Sequence, residues 1–163
     1  MTSSQRHVRF AFAIVVSAFL LIIEPVGVWA QSDDEEAVKR HVERFLAAVG
    51  EGNLDALPDM FVSDANIGVA SLRDGSWVAS TMTFEEWMSS LRERVTWTQF
   101  SEPVSQYTVH VEDSMMAFVR ADATVIRDDQ ARSRNIDYFT LVREDGAWKF
   151  LSASYVAKPI ESE

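Results

Sequence analysis

The sequence predicts an α+β fold in which helices pack over the concave face of a strongly curved antiparallel sheet. Apolar residues first repeat at helical spacing, and from Phe100 onward four long segments have the character of strands joined by short turns. Helices first and a meander of long strands last are typical of α+β domains. The chain has 163 residues, of which 47% are hydrophobic, so it can bury one substantial core.

The first 30 residues have the three parts of a secretory signal peptide. Arg6 and Arg9 precede an apolar run over residues 10–23, and the segment ends with small residues at Val28 and Ala30. We expect cleavage after Ala30, which predicts an exported protein, periplasmic or secreted by a bacterium, with no membrane contact after cleavage. An uncleaved anchor is the alternative, because the run falls just short of the roughly 20 residues that a membrane-spanning helix needs.

Three helices are predicted in the mature chain. The first begins at a capping box over residues 32–35 and ends at Gly50. A second, short helix is expected over Leu54–Phe61, and a strand over Asp64–Leu72 follows it. The third helix begins at a second capping box, residues 83–86, and its apolar stripe includes Trp87.

Four antiparallel strands complete the predicted domain. Their segments are separated by acidic or glycine-containing turns of about three residues. They are expected at Val104–Val111, Met115–Arg127, Ala131–Arg143 and Ala147–Ala157. The domain would span residues 31–157, and residues 158–163 would form a C-terminal tail.

The last two strands predict a cavity at one end of the sheet. A hairpin that places Leu141 opposite Phe150 also places Asp137 opposite Ser154, on a face where small side chains leave space. We expect polar groups that orient a ligand at Asn135, Asp137, Ser152 and Ser154, and aromatic walls at Phe45, Trp87, Phe139, Trp148 and Phe150. Burial would raise the pKa of Asp137, so that it could donate a hydrogen bond. The alternative is a structural or surface role for this residue.

The composition limits the possible partners. The 25 acidic and 15 basic residues give a formal net charge of −10, which would repel the phosphates of a nucleic acid. His41 and His110 lack a second ligand at metal-binding spacing, and there is neither a cysteine nor a nucleotide-binding fingerprint. We therefore expect no nucleic acid, no metal and no cofactor. Large apolar side chains such as Phe118 on the outer face of the sheet suit a homodimer, although an ordinary solvated face is the alternative.

Two segments of the chain resemble a known superfamily. Residues 52–65, which begin Gly52-Asn53-Leu54-Asp55, and the closing hairpin Tyr138–Phe150 are similar to segments of the nuclear transport factor 2-like (NTF2-like) superfamily. Its members include SnoaL-like polyketide cyclases and ketosteroid isomerases. The resemblance covers residues 33–157, and it implies a cone of curved sheet and helices around a cavity, commonly dimeric through the outer sheet face.

The resemblance also bears on catalysis. Ketosteroid isomerases use a carboxylate base and an oxyanion hole made by a tyrosine and a protonated aspartate. The resemblance gives Asp137 as the counterpart of that aspartate, but the tyrosine position falls on Phe45 and the base position on Val69. Ketosteroid isomerisation is therefore not expected. We predict binding of a small, largely apolar ligand; the alternatives are a SnoaL-like isomerase, dehydratase or cyclase that uses Asp137 as acid or base, and a non-catalytic dimerisation module.

Overall fold

The computed structural model describes residues 26–94 and 100–160. Most of the predicted export signal, Val95 and the last three residues lie outside these ranges. Two α-helices are present, α1 (Val26–Glu51) and α2 (Phe84–Arg94), with two short 3-10 helices at Leu54–Ala56 and Pro58–Met60. The strands are β1 (Phe61–Arg73), β2 (Ser76–Thr83), β3 (Phe100–Ser101), β4 (Val104–Glu112), β5 (Met116–Arg127), β6 (Gln130–Glu144) and β7 (Ala147–Pro159).

The strands form one curved, unclosed seven-stranded sheet, which confirms the predicted α+β class. Its order is β2-β1-β7-β6-β5, and β5 pairs at its far edge with both β3 and β4. Only the pairing of β1 with β7 is parallel among the described strands. Both helices pack against the sheet: α1 lies mainly against β3 and β4, and α2 lies mainly against β1 and β2.

The core lies between α1 and the concave face of the sheet. Apolar residues of α1 at helical spacing are buried against it, with Val38 and Val42 fully covered. The Phe45 ring lies at the centre, with its centroid 5.1 to 6.2 Å from the rings of Phe61, Trp87, Phe139 and Phe150. No helix among the described residues is both long and apolar enough to span a membrane.

The predicted helical boundaries hold in part. The capping box of α2 is confirmed, because the Glu86 amide donates to Thr83 Oγ1 at 3.1 Å and the Thr83 amide donates to Glu86 Oε2 at 2.9 Å. In contrast, α1 begins at Val26, so Ser32 lies inside the helix and not at its N-cap. The predicted helix over Leu54–Phe61 is two 3-10 turns, because Pro58 has no amide hydrogen to continue an α-helical ladder.

The strand predictions agree more closely with the structure, with four differences. The four C-terminal strands lie within two residues of their predicted bounds. The two differences in strand number are β2 and the two-residue β3, which were not predicted. In addition, β1 begins three residues early at Phe61, and β7 continues to Pro159. Lys158 and Pro159 therefore pair with β6 and do not belong to the tail.

A β-bulge in β7 changes the predicted register. Leu141 pairs with Phe150 as expected, but the next pair is Thr140 with Ser152, so Leu151 is an extra residue on β7. Beyond this point Asp137 pairs with Tyr155, not with Ser154. A shift of one residue exchanges the two faces of a strand, so Ala153 and Tyr155 replace the two serines on the concave face.

Candidate functional site

A cavity of about 240 Å³ lies between the helices and the concave face of the sheet. Its helical wall is apolar and comes from α1 and α2, and its sheet wall comes from β5, β6 and β7. Six of the nine predicted site residues border it: Phe45, Trp87, Asn135, Asp137, Phe139 and Ser154. The sequence therefore located the cavity and its mixed apolar and polar character.

Ser154 and the three remaining residues, Ser152, Trp148 and Phe150, lie differently from the expectation, and the β-bulge explains this for the two serines. Ser152 does not border the cavity. Ser154 borders it, but its hydroxyl packs over Gly68, so closely that a Cβ atom added to this glycine would lie 2.7 Å from Oγ. Phe150 is fully buried in the core. Trp148 lines a groove on the opposite flank of α1.

Asp137 lies in a row of side chains that crosses the sheet. It pairs with Ala121 on β5 and Tyr155 on β7, and Ala121 pairs in turn with Tyr107 on β4. Directly paired residues project to the same face, and the small Ala121 side chain leaves space between Asp137 and Tyr107. The structure thus places two tyrosines in the row of Asp137, although the tyrosine position implied by the superfamily is occupied by Phe45.

Glu102 is a second acid at the cavity, and the sequence analysis missed it. The Asn135 amide donates to Glu102 Oε1 at 2.6 Å, while its oxygen accepts a hydrogen bond of 3.2 Å from the Ser133 hydroxyl. Glu102 lies in the short connection between β3 and β4, directly before Pro103. Such an irregular segment has no periodicity from which its direction could be predicted.

Burial dominates the electrostatics of Asp137. The residue is only 4% exposed, and its Oδ2 atom has no hydrogen-bond partner among the described residues. Burial first, and then the negative charges of Glu102 and Asp122, raise the pKa of Asp137 to about 8. At neutral pH this side chain is therefore mainly an uncharged carboxylic acid.

Burial raises the pKa values of two neighbouring side chains as well, those of Glu102 and Tyr107. Burial also raises the pKa of Glu102, although its hydrogen bond from Asn135 and the charge of Arg127 oppose this shift. Burial, together with the charges of Glu43 and Asp137, raises the pKa of Tyr107 to about 12. Within the described ranges no three His, Asp or Glu side chains gather closely enough to hold a metal ion. The cavity thus offers neutral hydrogen-bonding groups and a carboxyl that can exchange a proton near neutral pH.

The raised pKa of Asp137 predicts a pH-dependent stability. The folded state keeps this proton up to about pH 8, whereas the unfolded chain releases it near the ordinary value of 3.8. Protonation therefore favours the folded state between these values, and this contribution is lost as the pH rises, by up to about 1.4 kcal/mol per pH unit. We expect the Asp137→Asn variant, which cannot ionise, to gain stability relative to the wild type as the pH rises.

Urea unfolding between about pH 4 and pH 9 measures this difference. Asp113→Asn is the matched control, because Asp113 lies in an exposed turn with a φ of 49°, which asparagine tolerates. Its stability should follow the wild type at every pH. A constant difference between Asp137→Asn and the wild type over the whole range would contradict a raised pKa.

Comparisons with known proteins agree with the fold described above. A family model described as "Putative lumazine-binding" matches residues 33–156. No curated protein matches the sequence. An NTF2-like protein of unknown function from Silicibacter pomeroyi has a similar structure, with 19% identity and a TM-score of 0.56 over 78% of this chain and 98% of that one.

Two structures from Novosphingobium aromaticivorans are also similar. An NTF2-like protein with a cystatin-like fold has 16% identity and a TM-score of 0.63 over 83% of this chain and 91% of its own. A "Putative Scytalone Dehydratase" has 18% identity and a TM-score of 0.59 over 81% of this chain and 93% of its own. These likenesses confirm the predicted NTF2-like fold. The family model covers three quarters of the chain, and the protein therefore belongs to the "Putative lumazine-binding" family.

Proposed function

We propose that the protein binds a small, largely apolar ligand in the cavity and orients it through Asp137. The observation that carries the proposal is a buried carboxyl at the cavity wall whose Oδ2 has no partner in the described part of the chain. An unsatisfied buried polar group costs about 1–3 kcal/mol, and a ligand that hydrogen-bonds to it recovers this free energy. Asn135 lies two residues away on the same strand face and provides a second polar group.

The aromatic lining and the small volume of the cavity favour a small, flat ligand. Phe45, Trp87 and Phe139 supply aromatic surface, and the volume is below the roughly 300–1,000 Å³ of pockets for drug-sized ligands. Lumazine, which the family description names, is a compact bicyclic heterocycle that carries both carbonyl and N–H groups. An uncharged carboxyl can donate to the first and accept from the second.

Lumazine is therefore a suitable probe for two variants at the same position. We expect Asp137→Leu, which has the same branched side-chain shape but no polar atom, to weaken binding about tenfold or more, because a ligand group is left unpaired. Asp137→Asn should stay within about threefold of the wild type, because an amide also donates and accepts. Isothermal titration calorimetry measures both, with Asp113→Asn as control. Wild-type affinity in Asp137→Leu would contradict an orienting role for Asp137.

A proton-transfer enzyme is the second candidate function. Glu102 supports it, because two acids at one cavity with raised pKa values suit general acid–base chemistry. In that case Asp137 would act as acid or base for an isomerase, dehydratase or cyclase. Asp137→Asn separates the two functions: a binding protein keeps its function in this variant, whereas an enzyme binds its substrate but no longer turns it over.

Export and dimerisation belong to the same proposal. The charged, apolar and small-residue parts of residues 1–30 support export and removal of this segment. Phe118 and Tyr138 are each 47% exposed on the outer face of β5 and β6, and they support a homodimer through that face. A non-catalytic dimerisation module is the third candidate, and it would use this face without a ligand.

Native mass spectrometry of the protein isolated from its own cells measures the cleavage site, the oligomeric state and any bound ligand together. We expect a mature chain that begins at Gln31, a dimer, and a retained small molecule. Phe118→Asp should shift the dimer to a monomer, since a charge at an apolar interface is costly, whereas Asp113→Asn should not. An empty cavity in freshly isolated protein would favour the dimerisation module, and a monomeric wild type would contradict the proposed interface.

A further inference from the structure

The opposite flank of α1 contains a second concave surface, which we call the arginine groove. It is lined by Arg40 and Arg44 of α1 and by Arg143 and Trp148 of the β6–β7 hairpin, and its volume is about 860 Å³. Three arginines in one groove stand out in a chain with a net charge of −10. Neither the cavity nor the proposed ligand of Asp137 uses them.

Two N–H donors at the wall of the arginine groove lack an acceptor. Trp148 is only 7% exposed, and its Nε1 atom has no hydrogen-bond partner among the described residues; the same holds for Nε of Arg143. Arg143 and Trp148 pair across the hairpin, and the guanidinium lies 4.7 Å from the centroid of the indole ring. Buried donors without acceptors are costly, so an acceptor that reaches this pair from the groove would stabilise it.

Arg40 and Arg44, at the mouth of the groove, form no ion pair within the described part of the chain. Arg40 and Arg44 lie one turn apart on an exposed face of α1, where like charges are mildly destabilising. Neither forms a salt bridge with a described carboxylate, although Glu43 and Asp59 also line the groove. An oxyanion between these guanidinium groups would relieve their repulsion.

His41 fixes one of these guanidinium groups without adding charge. Nη2 of Arg44 donates to His41 Nδ1 at 3.1 Å, so the imidazole proton is on Nε2, which donates to the Met60 carbonyl at 3.3 Å. Burial first, and then the charge of Arg44, lower the pKa of His41. Arg44 is therefore held in place by a neutral, buried side chain.

We propose that the arginine groove binds the oxyanion of a small molecule, a carboxylate or a phosphate, with Arg40, Arg44 and Arg143 as its ligands. Guanidinium groups suit both oxyanions, because their planar donors form charge-assisted pairs with two oxygens. Small residues such as Ala37 and Ala147 also line the groove, and they leave room for an apolar body attached to the oxyanion. The proposal is independent of the ligand bound at Asp137.

Phenyl phosphate and benzoate test the two oxyanions, and benzyl alcohol is the uncharged control. The readout is the indole N–H signal of Trp148 in ¹H–¹⁵N NMR spectra of the full-length protein, identified as the signal that Trp148→Phe removes. We expect a saturable shift with at least one of the two anions and none with benzyl alcohol. The anion that binds with the higher affinity shows whether the groove prefers a phosphate or a carboxylate. No saturable shift with either anion, or an equal shift with benzyl alcohol, would overturn the proposal.

Charge-neutralising variants locate the site. Arg143→Gln should weaken binding tenfold or more, since charge-assisted hydrogen bonds are lost. Arg143 also forms an ion pair with Asp34, which Arg143→Gln would break. The double variant Arg40→Gln/Arg44→Gln changes two exposed positions, leaves that ion pair intact and should weaken binding to the same degree. Arg120→Gln removes the same charge from the outer sheet face and should have no effect; an equal loss there would overturn the proposal. Asp137→Leu should also leave this binding unchanged, which separates the groove from the cavity.

Discussion

The fold of this protein is constrained by one buried carboxyl. Asp137 points from the concave face of the sheet into a hollow that α1 and α2 close with apolar side chains. An ionised carboxylate would be unstable there, and the nearby acids make ionisation still less favourable. The side chain is therefore tolerated because it stays protonated, and the same property makes it a hydrogen-bond donor in the cavity.

The hollow exists because small side chains surround this carboxyl on the sheet. On β5, every second residue is buried, and Ala121 and Ala123 lie where larger residues would fill the space. On β7, the bulge at Leu151 turns Ala153 toward the cavity in place of a serine. The bulky side chains Leu141 and Phe150 fill the other end of the sheet, so the fold is solid at one end and hollow at the other.

Most of the fold and part of the site follow from local patterns in the sequence. Alternation and turn residues located β4 to β7, and the capping box located the start of α2. Asp137 was identified because its strand neighbours are small or polar. The bulge at Leu151 could not be predicted, since a bulge depends on how two strands pair and not on the residues of one. For the same reason the two serines were placed on the wrong face. Trp148 keeps its predicted register but lines the groove on the other flank of α1, and the irregular connection that carries Glu102 gave no directional signal.

The two flanks of α1 face different sets of ionisable side chains. The cavity flank collects acids whose burial raises their pKa, with Asp137 and Glu102 foremost. The opposite flank carries arginines around Trp148 and a neutral His41. One helix thus forms a wall of both the cavity and the arginine groove, for which we propose ligands of different chemistry.

The most direct measurement of the central claim is the titration of the Asp137 side-chain carboxyl by ¹³C NMR, with the signal assigned through the Asp137→Asn variant. A midpoint about pH 8 would show that the folded protein holds this group as a neutral acid in its cavity. A midpoint near the ordinary value of 3.8 would show a solvated carboxylate and would contradict the account.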